Sequence, residues 1–418
     1  MHAWRQVEVP VVPATPAPYG LPGTASLVTT DARRLEPVGP AHGTAGLYVC
    51  GITPYDATHM GHAFTYVSFD VLNRVWRDLG LTVRYAQNVT DVDDPLLERA
   101  EETGVDWREL AISQIDLFRG DMEALRVLPP DWYVPATSII GEVVDLVEQL
   151  RAAGTVYQVD DPAYPDWYFR TAQAPGFGSV SHLSREQMLA EFAEHGGDPE
   201  RPGKRDALDC LVWRLERPGE PAWDSSLGRG RPGWHIECTA IALNRLGSEF
   251  SVQAGGRDLA FPHHEMCAAE AVAATGRPFA RSYAHVGMVG LDGQKMSKSL
   301  GNLELVSRLV GQGADPMAIR LALLAHHYRS DWDWTPADLQ NAQRRLDAWR
   351  AAVHAATGTP AEPVIADVRF CLRKDLDTPT ALAVIDEWSS AVLASEGHDS
   401  SAPAQMAATV DALLGIAL

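Results

Sequence analysis

From Ala45 to Thr90 the apolar positions change their spacing twice. Ala45-Gly-Leu-Tyr-Val-Cys-Gly51 is a short apolar run closed by glycine, Gly61 to Gly80 repeats its apolar residues with a helical period, and Thr82-Val-Arg-Tyr-Ala-Gln-Asn-Val-Thr90 is again strand-like. The outer patterns predict strands and the middle one an amphipathic helix. Together they make a βαβ unit, in which the strands run parallel and ligands sit at their carboxyl ends. Cys50 and Asn88-Val89-Thr90 fall there.

Two further strands are predicted in Glu249-Phe-Ser-Val-Gln-Ala-Gly-Gly256 and Arg281-Ser-Tyr-Ala-His-Val-Gly-Met-Val-Gly290. Between them and the βαβ unit, turn formers such as Gly196-Gly-Asp-Pro-Glu-Arg-Pro-Gly203 break the pattern, so about 155–232 reads as an insertion. Residues 1–45 hold seven prolines. Proline removes backbone donors, which predicts an extended arm or an edge hairpin. Beyond Ser299 the spacing turns helical in 316–326, 336–356, 380–393 and 404–414. The expected fold class is α/β: a Rossmann-like parallel sheet over 46–310 that carries the insertion, then a C-terminal helical bundle over 311–418.

Charge narrows the function. Of 418 residues, 46% are hydrophobic and 22% charged, a globular composition, and the formal net charge is -20. Such acidity argues against a broad polyanion binder, which needs clustered Lys and Arg, though a local basic patch stays open. The first residues lack the basic start and apolar core of a secretory signal, and no apolar run is long enough to cross a bilayer, so a cytoplasmic protein with no membrane partner is expected. The five cysteines are scattered, so free or metal-bound thiols are expected rather than a disulfide framework.

Two segments carry candidate chemistry. In Thr53-Pro-Tyr-Asp-Ala-Thr-His-Met-Gly-His62 two histidines flank the start of the predicted helix, where free N–H groups and the positive dipole end suit phosphate. Gly293-Gln-Lys-Met-Ser-Lys-Ser-Leu-Gly-Asn302 is a glycine-bordered loop whose lysines suit charge developing on phosphate. Taken singly, each has a plainer reading, a capping or core histidine pair and an exposed basic turn.

Taken together, His59-Met-Gly-His62 and Lys295-Met-Ser-Lys-Ser299 resemble the paired motifs of the class I aminoacyl-tRNA synthetases. Tyr48-Val-Cys-Gly51, Asn88-Val-Thr-Asp-Val-Asp-Asp94, Arg231-Pro-Gly-Trp-His-Ile-Glu-Cys238, Phe261-Pro-His-His-Glu265 and Asp375-Leu-Asp-Thr-Pro-Thr-Ala381 are similar to the cysteinyl-tRNA synthetase branch. The resemblance implies activation of L-cysteine by ATP, with Mg²⁺ on the phosphates and His59, His62, Lys295 and Lys298 stabilising the developing charge. It also implies one Zn²⁺ held by Cys50, Cys238 and His263. Two thiolates and an imidazole suit zinc, and a fourth, open position would take the substrate thiol. Where the family often has a glutamate ligand, this chain has Cys267. That leaves open whether Cys267 ligates or the site has three protein ligands. Gly51, Ile52, Thr53, Thr65, Asn88, Val89, Thr90, Trp234 and Val289 are implied around the cysteine and adenylate, with Gly256, Arg257 and Asp258 at the ribose. On residue type alone, Trp234 is equally a core residue and Asp258 a turn cap.

The acceptor divides two relatives. One charges tRNA; the other is a group of cysteine ligases of mycothiol biosynthesis, which join cysteine to the amine of glucosaminyl-inositol. Cys50-Gly-Ile-Thr-Pro-Tyr-Asp-Ala-Thr-His59 resembles the ligases' form of the first motif. Glu194-His-Gly-Gly-Asp-Pro199 resembles a ligase segment that usually has Arg at the second position, and His195 departs from it. Arg257 also departs, from a more usual Ser. Residues 331–418 hold 13 Asp and Glu against 6 Arg and Lys, a poor footprint for RNA. The ligase is the expected function, with ATP, L-cysteine and glucosaminyl-inositol as substrates, no nucleic-acid partner, and a monomeric chain. A zinc hydrolase is disfavoured by the lack of a His-Glu-x-x-His helix, and a non-catalytic relative by the survival of both motifs.

Overall fold

The computed structural model describes residues 1–14, 22–55, 58–296 and 302–418, with the side chain of Lys295 left out. Its centre is a parallel sheet of five strands: β1 (Thr44–Val49), β2 (Thr82–Val89), β3 (Trp132–Pro135), β4 (Phe250–Gly256) and β5 (Ala280–Val286). Their spatial order is β5-β4-β1-β2-β3. The chain leaves β1 toward β2 and β3 and later returns on its other side with β4. The order therefore reverses between β1 and β4, and loops diverging from such a point open a crevice at the carboxyl ends of the strands.

Helix α1 (Met60–Asp78) makes the right-sized crossover from β1 to β2. The spacing predicts an amphipathic helix, yet every residue from Ala63 to Trp76 is buried. Its outer face, which includes Asp70, Asn73 and Arg74, is covered by C-terminal helices. These are α4 (Pro316–Leu324), α5 (Pro336–Val353), α6 (Ala361–Arg373), α7 (Thr378–Leu393) and α8 (Ala402–Leu414). Of these, α4, α6 and α8 lie against α1. The sequence pattern marks all of them except α6.

The polar residues of α1 are paired where they are buried. Arg74 Nε donates to Asp70 Oδ2 at 2.7 Å, and Arg320 of α4 also donates to that oxygen. The remaining guanidinium hydrogens reach main-chain carbonyls at helix ends: Arg74 to Asp411 and Ala412, Arg320 to Leu414 and Leu125. Carbonyls at a helix C-terminus lack intrahelical donors and carry the negative dipole end, so they suit buried cations. Burial would raise the Asp70 carboxyl, but the two guanidiniums hold it below its ordinary value.

The predicted strand over Arg281–Gly290 is two strands. The chain leaves the main sheet after Val286, and Val289–Leu291 pairs instead with Gln294–Lys295 and Trp332–Asp333. Gly287 allows the exit: its N–H donates to Tyr328 O at 2.7 Å, and a Cβ there would lie 2.1 Å from Ser330 O. Between β3 and β4 lies a four-stranded antiparallel sheet of Val156–Gln158, Trp167–Phe169, Cys210–Leu215 and Gly230–Pro232. Ahead of β1, Ala25–Val28 and Leu35–Val38 form an antiparallel pair. Among the described residues no helix is long and apolar enough to cross a membrane.

Replacing Asp70 by Asn leaves two buried guanidiniums without a countercharge. Removing one partner of a buried ion cluster costs about 3–5 kcal/mol. Denaturant unfolding of Asp70→Asn should show a loss of that size, and a loss below about 1 kcal/mol would remove the cluster from the tie between α1 and α4.

Candidate active site

The floor of the crevice is set by backbone at the strand ends. Cys50 N–H donates to Ala254 O at 3.0 Å, so β1 keeps its contact with β4 for one more residue. At Gly51 the chain passes so close to β2 that a Cβ would stand 1.7 Å from Asn88 O. The Gly51 N–H donates to Asn88 Oδ1 at 2.7 Å, and the same oxygen accepts from Tyr48 Oη at 3.2 Å. Asn88 Nδ2 in turn donates to Thr90 Oγ1, and Thr90 N–H to Ile52 O. Asn88 and Thr90 thus brace the Gly51–Thr53 turn from beneath.

The N-terminus of α1 forms a wall. His59 is its N-cap, with Nδ1 accepting from Gly61 N–H at 3.1 Å, which places the ring proton of the neutral imidazole on Nε2. The His62 ring stacks on it at 3.8 Å between centroids. Burial lowers His62 to about 4, so it is neutral at physiological pH. The segment that follows the lysine loop runs beside this wall: Met60 N–H donates to Glu304 O and Val306 N–H to Thr58 O. Lys298 lies outside the described residues, and of Lys295 only the backbone, in the Gln294–Lys295 strand, is described.

Three remote segments converge on the floor. The thiol sulfurs of Cys50 and Cys238 and a ring nitrogen of His263 lie within 4.8 Å of one another, all buried. Cys238 is supplied by α2 (Trp234–Leu246), and His263 precedes α3 (Glu265–Thr275). Burial pushes the Cys50 thiol up. Burial would do the same to Cys238, but hydrogen bonds with Cys50, His263 and Tyr48 and the His263 charge hold it well below its ordinary value. Two sulfurs and an imidazole at these separations fit a tetrahedral, thiophilic ion such as zinc, with the fourth position toward the cavity that Cys50 and His263 line. Cys267 is outside this group; its thiol donates to His235 O at 3.4 Å and lies 4.0 Å from His263 Nε2.

Neighbouring groups fix the donors. Trp234 stacks on His263 at 4.4 Å between centroids, and His235 and His263 share a 3.0 Å contact between their Nδ1 atoms. Behind Cys50, His264 Nε2 lies 3.1 Å from the sulfur, His264 Nδ1 lies 2.7 Å from His285 Nε2, and His285 Nδ1 lies 2.6 Å from Thr30 Oγ1. Burial keeps His264 and His285 neutral, the latter lowered to about 3. With a thiolate at Cys50, His264 must donate from Nε2, which orders the whole chain: Thr30 donates to His285 and His285 to His264.

Above this floor is a cavity of about 400 Å³. Of the residues singled out from the sequence, Cys50, Gly51, Ile52, Thr53, His59, His62, Thr65, Asn88, Trp234, Gly256, Asp258, His263 and Val289 line it. Cys238 does not line the cavity and belongs to the floor group with Cys50 and His263. Val89 and Thr90 are buried support, and Arg257 turns outward to Asp331 Oδ2 at 2.8 Å and to Arg329 O. Residues without a sequence-derived role also line it, among them Tyr66, His195, Met288, Met296 and Leu303. Tyr66 was accessible in principle, being four positions after His62 on one helix face. Its hydroxyl donates to Cys50 O at 3.0 Å.

Residues 38–344 match the family described as tRNA synthetases class I (C) catalytic domain. The chain is 59% identical over 423 residues to the L-cysteine:1D-myo-inositol 2-amino-2-deoxy-alpha-D-glucopyranoside ligase of Thermomonospora curvata, covering 100% of both chains. It is 57% identical to the protein of the same name from Thermobifida fusca, covering 100% of this chain and 99% of that one. Among solved structures it resembles Mycobacterium tuberculosis methionyl-tRNA synthetase bound by methionyl-adenylate, with a TM-score of 0.62 at 16% identity over 89% of this chain and 92% of that one. It also resembles Agrobacterium radiobacter LeuRS in a ternary complex with tRNA and LeuAMS, with a TM-score of 0.65 at 12% identity over 91% of this chain and 84% of that one. At these identities the structural likeness establishes the fold.

Cys238→Ala should lower bound metal, measured by elemental analysis of purified protein, to under about a tenth of the wild-type content, as expected for loss of one of three ligands. Full retention of metal would exclude Cys238 as a ligand. A second test concerns His62. Because its folded pKa is depressed, the unfolded chain binds a proton that the folded chain refuses between pH 6.5 and 4, so stability is full above that window and falls as pH falls through it. Between pH 7 and 5 this amounts to about 2 kcal/mol. Denaturant unfolding of wild type should lose that much more than His62→Gln over the same interval, and parallel pH profiles would refute the assignment.

Proposed function

The chain belongs to the class I (C) tRNA synthetase catalytic-domain family and, within it, groups with the L-cysteine:1D-myo-inositol 2-amino-2-deoxy-alpha-D-glucopyranoside ligases, and from that premise we propose that it joins L-cysteine to the amine of that glycoside at the expense of ATP. The observation that carries the proposal is the meeting of two sets of groups at one cavity: the Cys50, Cys238 and His263 group, whose donors suit a thiophilic ion, and the α1 N-terminus, whose dipole end suits phosphate.

In the first step a cysteine carboxylate oxygen attacks the α-phosphorus, the bond to the β-phosphate bridging oxygen breaks, and pyrophosphate leaves with the electron pair. The α1 N-terminus, with the Nε2–H of His59, faces the growing negative charge, and neutral His62 serves as a hydrogen-bonding group rather than a cation. Lys295 and Lys298 would add positive charge at the phosphates, whose counterion would be Mg²⁺. Gly256 and Asp258, at the end of β4, take the ribose, and Arg257 acts by holding this turn to the segment around Asp331. Thr53, Thr65, Asn88, Trp234 and Val289 enclose the cysteinyl adenylate. Zinc, when bound, supplies a Lewis acid that binds the substrate thiol as thiolate and discriminates against a hydroxyl. Cys50, Cys238 and His263 would hold it.

In the second step the free amine attacks the carbonyl carbon of the mixed anhydride. A C–N bond forms, the C–O bond to AMP breaks, and the amine gives up a proton. We take residues 1–45 as an arm, 46–310 with its insertion at 155–232 as the catalytic unit, and 311–418 as a helical unit whose acidic surface does not serve RNA. A cytoplasmic monomer acting on small molecules alone is consistent with these features.

AMP release from ATP and L-cysteine, measured with glucosaminyl-inositol or with cysteine-specific tRNA as acceptor, tests the proposal. Turnover with the glycoside alone is expected. Turnover with tRNA alone would make the chain a tRNA-charging enzyme.

A further inference from the structure

We propose that His195 is a binding residue for the amine acceptor, with its Nε2 accepting a hydrogen bond from an acceptor hydroxyl; this rests on the ligase reading above. Among the described residues that line the cavity, it alone comes from the segment between β2 and α2. The walls already assigned hold cysteine and nucleotide. His195 comes from a separate segment of the chain.

The rest of Glu194–Pro199 is accounted for by the turn itself. Gly196 has φ of +81°, and a Cβ on Gly197 would sit 2.5 Å from Phe192 O and from its ring. Asp198 is pinned by the Tyr168 hydroxyl and by Lys204 Nζ at 3.0 Å. Nothing in this turn requires an imidazole at 195. The His195 main-chain N–H already caps the helix Arg185–Glu194 by donating to Glu191 O at 3.1 Å.

The ring is also held in place. Its Nδ1 lies 2.8 Å from Glu191 O and 3.6 Å from a Glu191 carboxylate oxygen, and since a carbonyl can only accept, Nδ1 carries a proton. As the Nδ1–H tautomer the ring presents Nε2 as an acceptor. A polyhydroxylated acceptor supplies O–H donors to match it.

The position of His195 is tied to the metal-ligand segment. The Glu265 carboxylate, two residues after His263, accepts from the N–H groups of Gly178, Val180 and Ser181 and from Ser181 Oγ at 2.7–3.1 Å. That loop leads directly into the helix that ends at His195, whose first turn is closed by the Ser184 and Gln187 capping box. The helix itself packs on the Ala260–His264 segment. His195 is therefore tied to the segment that carries His263.

The test compares wild type, His195→Ala and His195→Gln by steady-state AMP release with glucosaminyl-inositol and by cysteine-dependent ATP–pyrophosphate exchange. For His195→Ala the acceptor KM should rise about tenfold or more, the equivalent of one lost hydrogen bond, while the KM for cysteine in exchange stays within about twofold. His195→Gln, which keeps an acceptor atom, should recover much of the acceptor KM. An unchanged acceptor KM in His195→Ala, or equal weakening of exchange and ligation, would overturn the proposal in favour of a helix-capping role. A fall in kcat alone, with Gln no better than Ala, would overturn it in favour of a proton acceptor. If wild type itself releases no AMP with the glycoside, the ligase reading has failed rather than the placement of His195.

Discussion

A carboxylate in the middle of α1 decides how the molecule is assembled. Asp70 is buried between the guanidiniums of Arg74 and Arg320, and those cations also cap the last turn of α8 and the helix ending at Ala124. One cluster thus joins the helix that follows β1 to the last helices of the chain. Charges taken this far from water are tolerated only when each is paired and each hydrogen finds an acceptor. The helix ends supply those acceptors, so α1 and the C-terminal helices fix one another's position. Because the N-terminus of α1 is also a wall of the cavity, the placement of residues beyond 311 bears on the geometry of segments more than 200 residues earlier in the chain.

The site follows from where the strand order reverses. β1 and β4 end side by side, and only there can Cys50 and Gly256 come from adjacent strands while Asn88 braces the turn from the opposite neighbour. Buried carboxylates do a similar job at the edges. Glu265 gathers the loop 178–181, and Asp375 accepts from Val28 N–H, Tyr328 and Arg329, tying the N-terminal hairpin to the chain around β5. The floor of the cavity is thus framed by anchored segments, as the proposed discrimination of thiol from hydroxyl would require.

Local patterns made four of the five strands legible, and Trp132–Pro135 was not read from the sequence. β1, α1 and β2 could be read because a period of two or a period near 3.6 survives in short windows, and the C-terminal helices for the same reason. What could not be read was the burial of α1 on both faces. Asp70 and Arg74 look like a solvated stripe until partners 250 and 337 residues away are in place. The break at Gly287 was hidden for a similar cause, since the strands that Val289–Leu291 joins are not neighbours in sequence. The candidate metal group lay beyond any spacing rule: Cys50, Cys238 and His263 share no window, and only the resemblance to cysteinyl-tRNA synthetases put them together before the fold did. Arg257 shows the reverse limit. A motif places it beside the ribose-binding turn, but its guanidinium is spent on Asp331 and Arg329 O, outside the cavity.

Electrostatics explain why an acidic chain can nonetheless handle ATP. The imidazoles at the base of the site, His62, His235, His264 and His285, are all lowered by burial, so they contribute orientation and hydrogen bonds without adding positive charge. Burial raises Cys50 and Cys267 as well, while hydrogen bonds and the neighbouring His263 hold Cys238 low. In the proposed reaction phosphate would depend on local groups, the positive dipole end of α1 with His59 and the lysines of 293–302, rather than on the field of the whole molecule. A net charge of -20 opposes long-range attraction of any polyanion, and it opposes a tRNA far more than a nucleotide, because the repulsion grows with the number of phosphates brought close. A small, neutral or cationic aminoglycoside meets no such barrier, and that asymmetry favours the glycoside as the acceptor.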